Sequence, residues 1–239
     1  MIRIILGGSF LVVYLLLSYL VFPVLWVYEK INKKKKDELS LRIVQWGFRV
    51  ILGIAGTEIT VIGKENMPKE AALYVGNHRS YFDILLLYVQ CEDLTGFVAK
   101  DSIEKVPSLR VWMRYLYCLF LNRSDAREGL KTILTAIEYV KKGISICIFP
   151  EGTRSKKGNE MIEFHGGSFR CAVKAKCPIV PICIVDGFKV FDVKGSKPVT
   201  CQLHFLPVIQ PEEYDGMKAN DVAELVKGRI QEALDKYAN

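Results

Sequence analysis

Residues 71–89 read AALYVGNHRSYFDILLLYV, and this stretch decides the fold. The apolar run Ala71–Val75 has the composition of a buried strand, and a polar turn follows it. A second apolar run, Ile84–Val89, comes after the turn and has the character of a helix. Strand, turn and helix in this order form the unit from which layered α/β proteins are built.

The same alternation continues through the chain after Thr57. The runs that predict strands are Thr57–Ile62, Ala71–Val75, Gly96–Ala99, Cys118–Leu121, Ile144–Phe149, Ile179–Val185 and Val199–Ile209. Apolar residues at helical spacing predict a helix that ends at Gly143, another after Gly167, and a last one from Asp221 to Tyr237. We therefore predict an α/β fold with a mixed sheet covered by helices.

The N-terminal segment Ile4–Val27 contains no charged residue. Because a bilayer core needs about 20 apolar residues for a spanning helix, this run is long enough to cross. Pro23 would kink or end such a helix, so a shallow or monotopic insertion is the alternative. A cleaved signal peptide fits poorly, since lysines follow the run in place of a small-residue cleavage site. We expect membrane attachment.

Five lysines, Lys30 and Lys33 to Lys36, follow the apolar run. Lysine excess beside a membrane segment favours the cytoplasmic side and attracts anionic lipid. Next, Leu41–Gly56 has the periodicity of an amphipathic helix that could lie on the membrane or pack on the domain. The sequence thus predicts membrane-attachment helices with a lysine-rich connector over residues 1–56, and one α/β domain facing the cytoplasm over residues 57–239.

Composition narrows the classes of partner. The 239 residues carry a net charge of +7 and are 50% apolar, which excludes a disordered chain and points to anionic partners. Nucleic acid ranks last, because the basic residues lack the signatures of nucleic-acid-binding modules. The seven cysteines show no Cys-x-x-Cys spacing, and Cys201 and His204 have no second pair to complete a zinc site. We predict buried thiols and no metal.

The turn within the opening stretch carries a candidate base. His78 is followed five positions later by Asp83, so the carboxylate can curl back and accept the imidazole Nδ1–H. That contact would fix the tautomer and leave Nε2 available as a general base. By this spacing alone, a structural histidine beside a helix-starting acid is an equal alternative.

A second turn, Phe149-Pro150-Glu151-Gly152-Thr153-Arg154-Ser155, also follows a predicted strand. An arginine and hydroxyl groups in a glycine-containing turn suit an anion such as phosphate. The nucleotide-binding glycine motifs and the His-Glu-x-x-His motif are absent from the sequence. Residues 166–170 approach the nucleophile elbow Gly-x-Ser-x-Gly but have Arg170 at the final position.

Taken together, these motifs resemble the glycerophospholipid acyltransferase family, and within it the 1-acyl-glycerol-3-phosphate (lysophosphatidic acid) acyltransferases. The resemblance covers roughly Thr57 to Ile209. Its four ordered blocks are Asn77-His78-x4-Asp83, then Lys100, Pro107 and Arg123, then Phe149 to Arg154, then Pro178-Ile179-Val180-Pro181.

The resemblance implies transfer of a fatty acyl group from acyl-ACP or acyl-CoA to the sn-2 hydroxyl of lysophosphatidic acid, which makes phosphatidic acid. It implies His78 as the general base oriented by Asp83, and no cofactor or metal. Residues implied in substrate binding are Asn77, Lys100, Arg123, Glu151, Gly152, Thr153 and Arg154. The expected partners are lysophosphatidic acid, the acyl-thioester carrier and the bilayer.

This chain departs from the family pattern at three acceptor-side positions. Arg110 and Tyr117 stand where many members have glycine, and Ser102 stands where an acidic residue is frequent. Three other functions remain open from the residues. The acceptor could be glycerol 3-phosphate or another lysophospholipid; the protein could be a membrane-attached hydrolase that uses Ser168; or it could be a lipid-binding module without turnover.

Overall fold

The computed structural model describes residues 2–122, 125–155, 160–190 and 198–238. Its helices are α1 Ile2–Ile31, α2 Lys33–Ala55, α3 Phe82–Tyr88, α4 Pro107–Tyr115, α5 Ala126–Lys141, α6 Arg170–Ala175 and α7 Ala219–Tyr237. Its strands are β1 Thr57–Ile62, β2 Leu73–Gly76, β3 Thr95–Lys100, β4 Leu119–Leu121, β5 Ser145–Ile148, β6 Ile179–Val185 and β7 Val199–Phe205.

The strands form one sheet in the order β1-β7-β6-β2-β5-β3-β4. The five strands from β6 to β4 are parallel to one another, whereas β7 is antiparallel to β6 and β1 is parallel to β7. The predicted mixed α/β sheet is therefore confirmed. Its central strands β6, β2 and β5 are hydrogen-bonded on both sides and buried along their whole length, which explains their continuous apolar runs.

All seven predicted strands are present, and β1 and β6 have the predicted ends. The last strand is shorter than predicted, since β7 stops at Phe205, two residues before Pro207. Proline cannot donate to a sheet ladder, which accounts for the interruption. The chain rejoins the sheet at Ile209, which forms a single antiparallel bridge with Ile179.

The sheet separates two apolar cores. Helices α1 to α4 cover one face, where Tyr74, Phe97 and Ile182 are buried. Helices α5 to α7 cover the other face, where Leu73 and Ile146 are fully buried. All seven cysteines are free, and six of them are buried.

The helix α2 corrects the predicted lysine connector. It begins at Lys33, capped by the Asn32 side chain, so the lysine block forms its first turn. Lys36 is only 3% exposed and pairs with Asp37 at 2.8 Å, so it is not a surface charge. The sequence left open whether this helix lies on the membrane or packs on the domain. The structure shows packing on the domain, because Gln45 Nε2 donates to the backbone oxygens of Tyr88 and Cys91.

The helix α1 lies against α2 and continues through Pro23. Trp112 Nε1 of α4 donates to the buried Ser18 Oγ at 2.7 Å, which ties the middle of α1 to the α/β domain. By length and composition alone, α1 could cross a membrane. Its exposed apolar side chains are Ile2, Ile4, Ile5, Leu6, Leu11, Val12, Val13, Leu16, Leu17, Tyr19, Leu20, Val24, Trp26, Val27 and Ile31.

Candidate active site

The two motif turns lie at the same edge of the sheet. Strands β2, β5 and β3 are adjacent and parallel, so their carboxyl ends meet there. Residues 77–83 follow β2, residues 149–155 follow β5, and Lys100 ends β3. Clefts outside the carboxyl ends of parallel strands are the usual binding sites of open α/β sheets. The fold therefore brings together motifs that are far apart in sequence.

The predicted pair of His78 and Asp83 forms. His78 Nδ1 lies 3.0 Å from Asp83 Oδ2, and the histidine side chain is 14% exposed. With Nδ1 on the carboxylate, the second ring nitrogen is the one left for proton transfer. This geometry is the one that a general base and an orienting carboxylate require.

Asp83 is itself held in place. It is 1% exposed, and its Oδ2 accepts the backbone N–H groups of Arg79 and Ser80, each at 2.7 Å. The backbone of Gly187 packs against the other carboxylate oxygen so closely that a Cβ there would collide with it. The two amide donors and the packed backbone of Gly187 hold this carboxylate in a single orientation, as is required of a residue that orients a histidine.

Glu151 connects the two motif turns. Its Oε1 accepts the backbone N–H of His78 at 2.7 Å, and its Oε2 accepts that of Ile162 at 2.9 Å. The backbone oxygen of His78 in turn accepts from Ser155 N at 2.8 Å. Both oxygens of this buried carboxylate are used within the protein, so the contacts make Glu151 a brace between loops.

The environment of Glu151 affects its ionisation. Burial raises the pKa of Glu151, and the two backbone hydrogen bonds from Ile162 and His78 oppose that rise. Removing a carboxylate from water disfavours its charged form, while amide donors favour it. Glu151 therefore keeps its proton to a higher pH than a carboxyl group in water does.

Asn77 has an internal role in the structure. Its Nδ2 donates to Ile184 O at 2.9 Å and its Oδ1 accepts from Ile184 N at 2.7 Å, with 1% of the residue exposed. The family resemblance implied substrate contact by Asn77, and that contact stays a prediction. Because both polar atoms are bound to the backbone of β6, Asn77 fixes the start of the turn that carries His78.

Two residues of the second turn, Thr153 and Arg154, face outward. Gly152 has a φ of 68°, a left-handed conformation that favours glycine, and Thr153 and Arg154 are exposed. The guanidinium of Arg154 lies 3.9 Å from the ring centre of Tyr81. This cation–π stack holds the arginine over the turn that carries the histidine, where it could meet an anion.

The third predicted group is only partly described. Lys100 is exposed at the end of β3, paired in register with Leu121 of β4. Arg123, the other predicted phosphate contact, lies outside the described residues. The structure thus places one of these two cations at the site edge.

An apolar cavity of about 330 Å³ reaches the site from the α5 side of the sheet. Phe149 is one of its lining residues, and the Phe149 ring stacks on the imidazole of His78, with ring centres 4.4 Å apart. Gly76 leaves room for this ring, since a Cβ there would lie 3.0 Å from it. The apolar residues that line the cavity include Leu73, Val98, Leu121, Ile133, Ala136, Ile146 and Ile148. Sequence spacing gave no signal for this cavity.

Two other kinds of chemistry find little support. Ser168 lies in a short turn of helix, 166–169, some 20 residues after β5, and not on a strand-to-helix elbow. Within the described ranges, no three histidine, cysteine or acidic side chains come together as metal ligands. The prediction that no metal or cofactor is needed stays a prediction.

Comparison with known proteins gives concordant results. The family model described as "Acyltransferase" matches residues 58–185. The chain is 26% identical over 223 residues to a probable 1-acyl-sn-glycerol-3-phosphate acyltransferase of Mycoplasma pneumoniae, covering 88% of this chain and 84% of that protein. It is also 26% identical over 200 residues to a 1-acyl-sn-glycerol-3-phosphate acyltransferase of Borreliella burgdorferi, covering 82% and 80%.

A solved structure shares the fold. The crystal structure of the 1-acyl-sn-glycerophosphate (LPA) acyltransferase, PlsC, from Thermotoga maritima superposes with a TM-score of 0.77. The two chains are 22% identical, and the match covers 98% of this chain and 97% of that one. The likeness extends over the N-terminal helices as well as the sheet.

Proposed function

The chain belongs to the acyltransferase family, and we propose that it transfers a fatty acyl group from a thioester donor to the sn-2 hydroxyl of 1-acyl-glycerol 3-phosphate. The product is phosphatidic acid. The observation that carries this proposal is the contact between His78 Nδ1 and Asp83 Oδ2, at a site edge that an apolar cavity reaches.

The histidine acts as the general base. His78 Nε2 takes the proton of the acceptor hydroxyl while Asp83 stabilises the imidazolium that forms. The hydroxyl oxygen attacks the thioester carbonyl, the new C–O bond forms, and the C–S bond breaks as the tetrahedral intermediate collapses. The thiolate that leaves takes up the proton from His78. The route needs no acyl-enzyme, in keeping with the position of Ser168 away from an elbow.

The cavity suits the acyl chain. Pockets for small ligands occupy about 300–1,000 Å³ and are mostly apolar, and this one has both properties. Phe149 belongs both to the cavity lining and to the stack on His78, so a chain bound inside would have its carbonyl at the Phe149 end of the cavity. This arrangement supports either acyl-ACP or acyl-CoA as donor, since the carrier would remain outside.

The acceptor phosphate would bind on the opposite side of the histidine. Lys100 and Arg154 are exposed cations at the site edge, and we assign them, with Arg123, to the phosphate. A guanidinium offers a planar fork of donors that matches phosphate oxygens. The stack on Tyr81 pre-orients Arg154, which lowers the cost of ordering it on binding.

The membrane holds the protein through α1. The contacts of Ser18 with Trp112 and of Arg3 Nη1 with Ala55 O support a helix that lies along the protein surface and inserts sideways. A helix that crossed the bilayer would have to break the Ser18–Trp112 bond or carry α4 with it. The exposed lysines that begin α2, Lys33, Lys34 and Lys35, support a cytoplasmic site, because lysine excess marks that side.

An acceptor panel tests this proposal. The purified protein in detergent would be given acyl-CoA or acyl-ACP together with 1-acyl-glycerol 3-phosphate, glycerol 3-phosphate or a lysophospholipid with a substituted phosphate. We expect phosphatidic acid from the first acceptor at a higher kcat/KM than product from the others. Preference for another acceptor would replace the assigned substrate, and no transfer from either donor to any acceptor would overturn the proposal.

A further inference from the structure

Tyr117 connects α4 to β4 in an unusual backbone conformation. Its φ is 58°, in the left-handed region that disfavours bulky side chains. The residue closes the end of α4, since its N–H donates to Arg114 O and the next N–H, that of Cys118, donates to Met113 O. A strained tyrosine persists only where its surroundings hold it there, which directs attention to its side chain.

That side chain is tied to the N-terminal helices. The Tyr117 hydroxyl donates to Asp37 Oδ2 at 2.8 Å, and Asp37 Oδ1 accepts from Lys36 Nζ at 2.8 Å. The Lys36 ammonium also lies 4.5 Å from the ring centre of Tyr115. With Lys36 and Asp37 at 3% and 7% exposed, the first turn of α2 is joined to the α4–β4 junction by a buried polar cluster.

The junction leads directly into β4. This strand is three residues long, is the last strand of the sheet, and pairs with β3. The backbone oxygen of Tyr117 packs on Gly96 of β3 so closely that a Cβ at Gly96 would collide with it. At its other end, β4 places Leu121 beside Lys100. A short edge strand depends on contacts outside its ladder, and the Tyr117–Asp37 bond is one.

We propose that Asp37 and Tyr117 are positioning residues whose hydrogen bond fixes β4, and with it the acceptor side of the site, against the membrane-attached helices. The inference rests on the proposed function, in which Lys100 binds the acceptor phosphate. It makes the α1–α2 pair a part of acceptor binding as well as a membrane anchor. Asp37 and Tyr117 bind each other and not the assigned phosphate group, so the expected effect falls on acceptor affinity.

The first test is Tyr117→Phe, which removes the hydroxyl and keeps the ring. We expect the KM for 1-acyl-glycerol 3-phosphate to rise on the order of tenfold, with kcat and the KM for the acyl donor within about twofold of wild type. If the Tyr117 hydroxyl only stabilised the fold, the variant would have a smaller active fraction and hence a lower kcat, and the acceptor KM would not change. The matched control is Tyr214→Phe, which removes a buried hydroxyl bound to Cys177 O at 2.6 Å, on the α6 side of the sheet.

Asp37→Asn gives a second variant, and the double variant tests whether the two act through one bond. If they do, Asp37→Asn and Tyr117→Phe together raise the acceptor KM no further than the larger single effect. Equal acceptor KM values in wild type and Tyr117→Phe, or effects that multiply in the double variant, would overturn the inference alone. A wild-type protein that acylates none of the acceptors would instead overturn the proposed function, and this inference with it.

Discussion

The carboxylate of Glu151 accepts the backbone N–H of His78 at 2.7 Å, across 73 positions of sequence. The turn after β2 and the turn after β5 are therefore one unit, and the histidine is held from both sides. The brace is buried, so its loss leaves amide donors without an acceptor in a place that water reaches poorly.

Glu151→Gln should weaken this unit. A glutamine amide offers one acceptor oxygen where the carboxylate offered two, so the N–H of either His78 or Ile162 loses its partner. We expect the free energy of unfolding to fall by about 1–3 kcal/mol. We also expect kcat to fall, with a smaller change in the KM of either substrate. Denaturant unfolding and steady-state kinetics measure these. An unchanged kcat in a folded variant would contradict the role of Glu151 in holding the backbone of His78.

The same variant tests the ionisation of Glu151. Burial raises its native pKa above 4.5, the value expected in the unfolded chain. Between 4.5 and the raised value the folded state binds more protons, so folding stability from this group increases as pH falls through that window. The unfolding free energy of wild type minus that of Glu151→Gln should therefore grow as pH falls. If this difference shrinks as pH falls, the two amide donors lower the pKa of Glu151 by more than burial raises it.

Tyr81→Leu should raise the acceptor KM. Without the ring under it, Arg154 samples more rotamers and pays more entropy to bind phosphate. The stack is worth about 0.5–1 kcal/mol at an exposed site, so a two- to fivefold rise in KM at constant kcat is expected. Tyr81→Phe is the control, because it keeps the ring. A KM that rises equally in both variants would argue for the hydroxyl and against the stack.

Ala136→Leu should shorten the acyl chain that the enzyme prefers. Ala136 is 4% exposed and lines the cavity, so the added carbons occupy space proposed for the chain. Displacing two or three methylenes costs about 2 kcal/mol, which lowers kcat/KM for long-chain donors by about tenfold or more and spares short-chain donors. Leu134→Phe, on the exposed side of α5, is the control. An equal loss for every chain length would place the acyl chain elsewhere.

The outer face of α1 predicts membrane binding. Leu16 and Leu20 are 62% and 73% exposed, and replacing both with lysine removes apolar area and adds charge there. We expect partitioning onto anionic vesicles to fall by at least about tenfold, because each leucine contributes about 1.5–3 kcal/mol when buried. Leu134→Lys, 53% exposed on α5, is the matched control. Equal binding by all three proteins would remove α1 from the interface.

The centre of the sheet was predictable because β2, β5 and β6 are buried along their whole length and so read as continuous apolar runs. The helix α4 was missed, since it is nine residues long and begins at Pro107. The burial of Lys36 was missed for a different reason. Its partner Tyr115 is 79 positions away, and a lysine block reads as surface charge until that packing is known.

The candidate site was predictable where its chemistry is local. The spacing of His78 and Asp83 allowed their contact to be expected from one turn. The internal role of Asn77 and the stack of Phe149 on His78 depend on strands that meet only in the folded sheet. Residue type alone shows that an asparagine can form hydrogen bonds or that an aromatic ring can stack. The register of neighbouring strands decides which group each of them contacts.

The most direct test of the account is the initial rate of acyl transfer to 1-acyl-glycerol 3-phosphate by His78→Ala. If His78 is the general base, the rate falls by about 10²–10⁴-fold, while the unfolding midpoint and vesicle binding stay at wild-type values. A folded His78→Ala protein that acylates this acceptor at the wild-type rate would contradict the central claim.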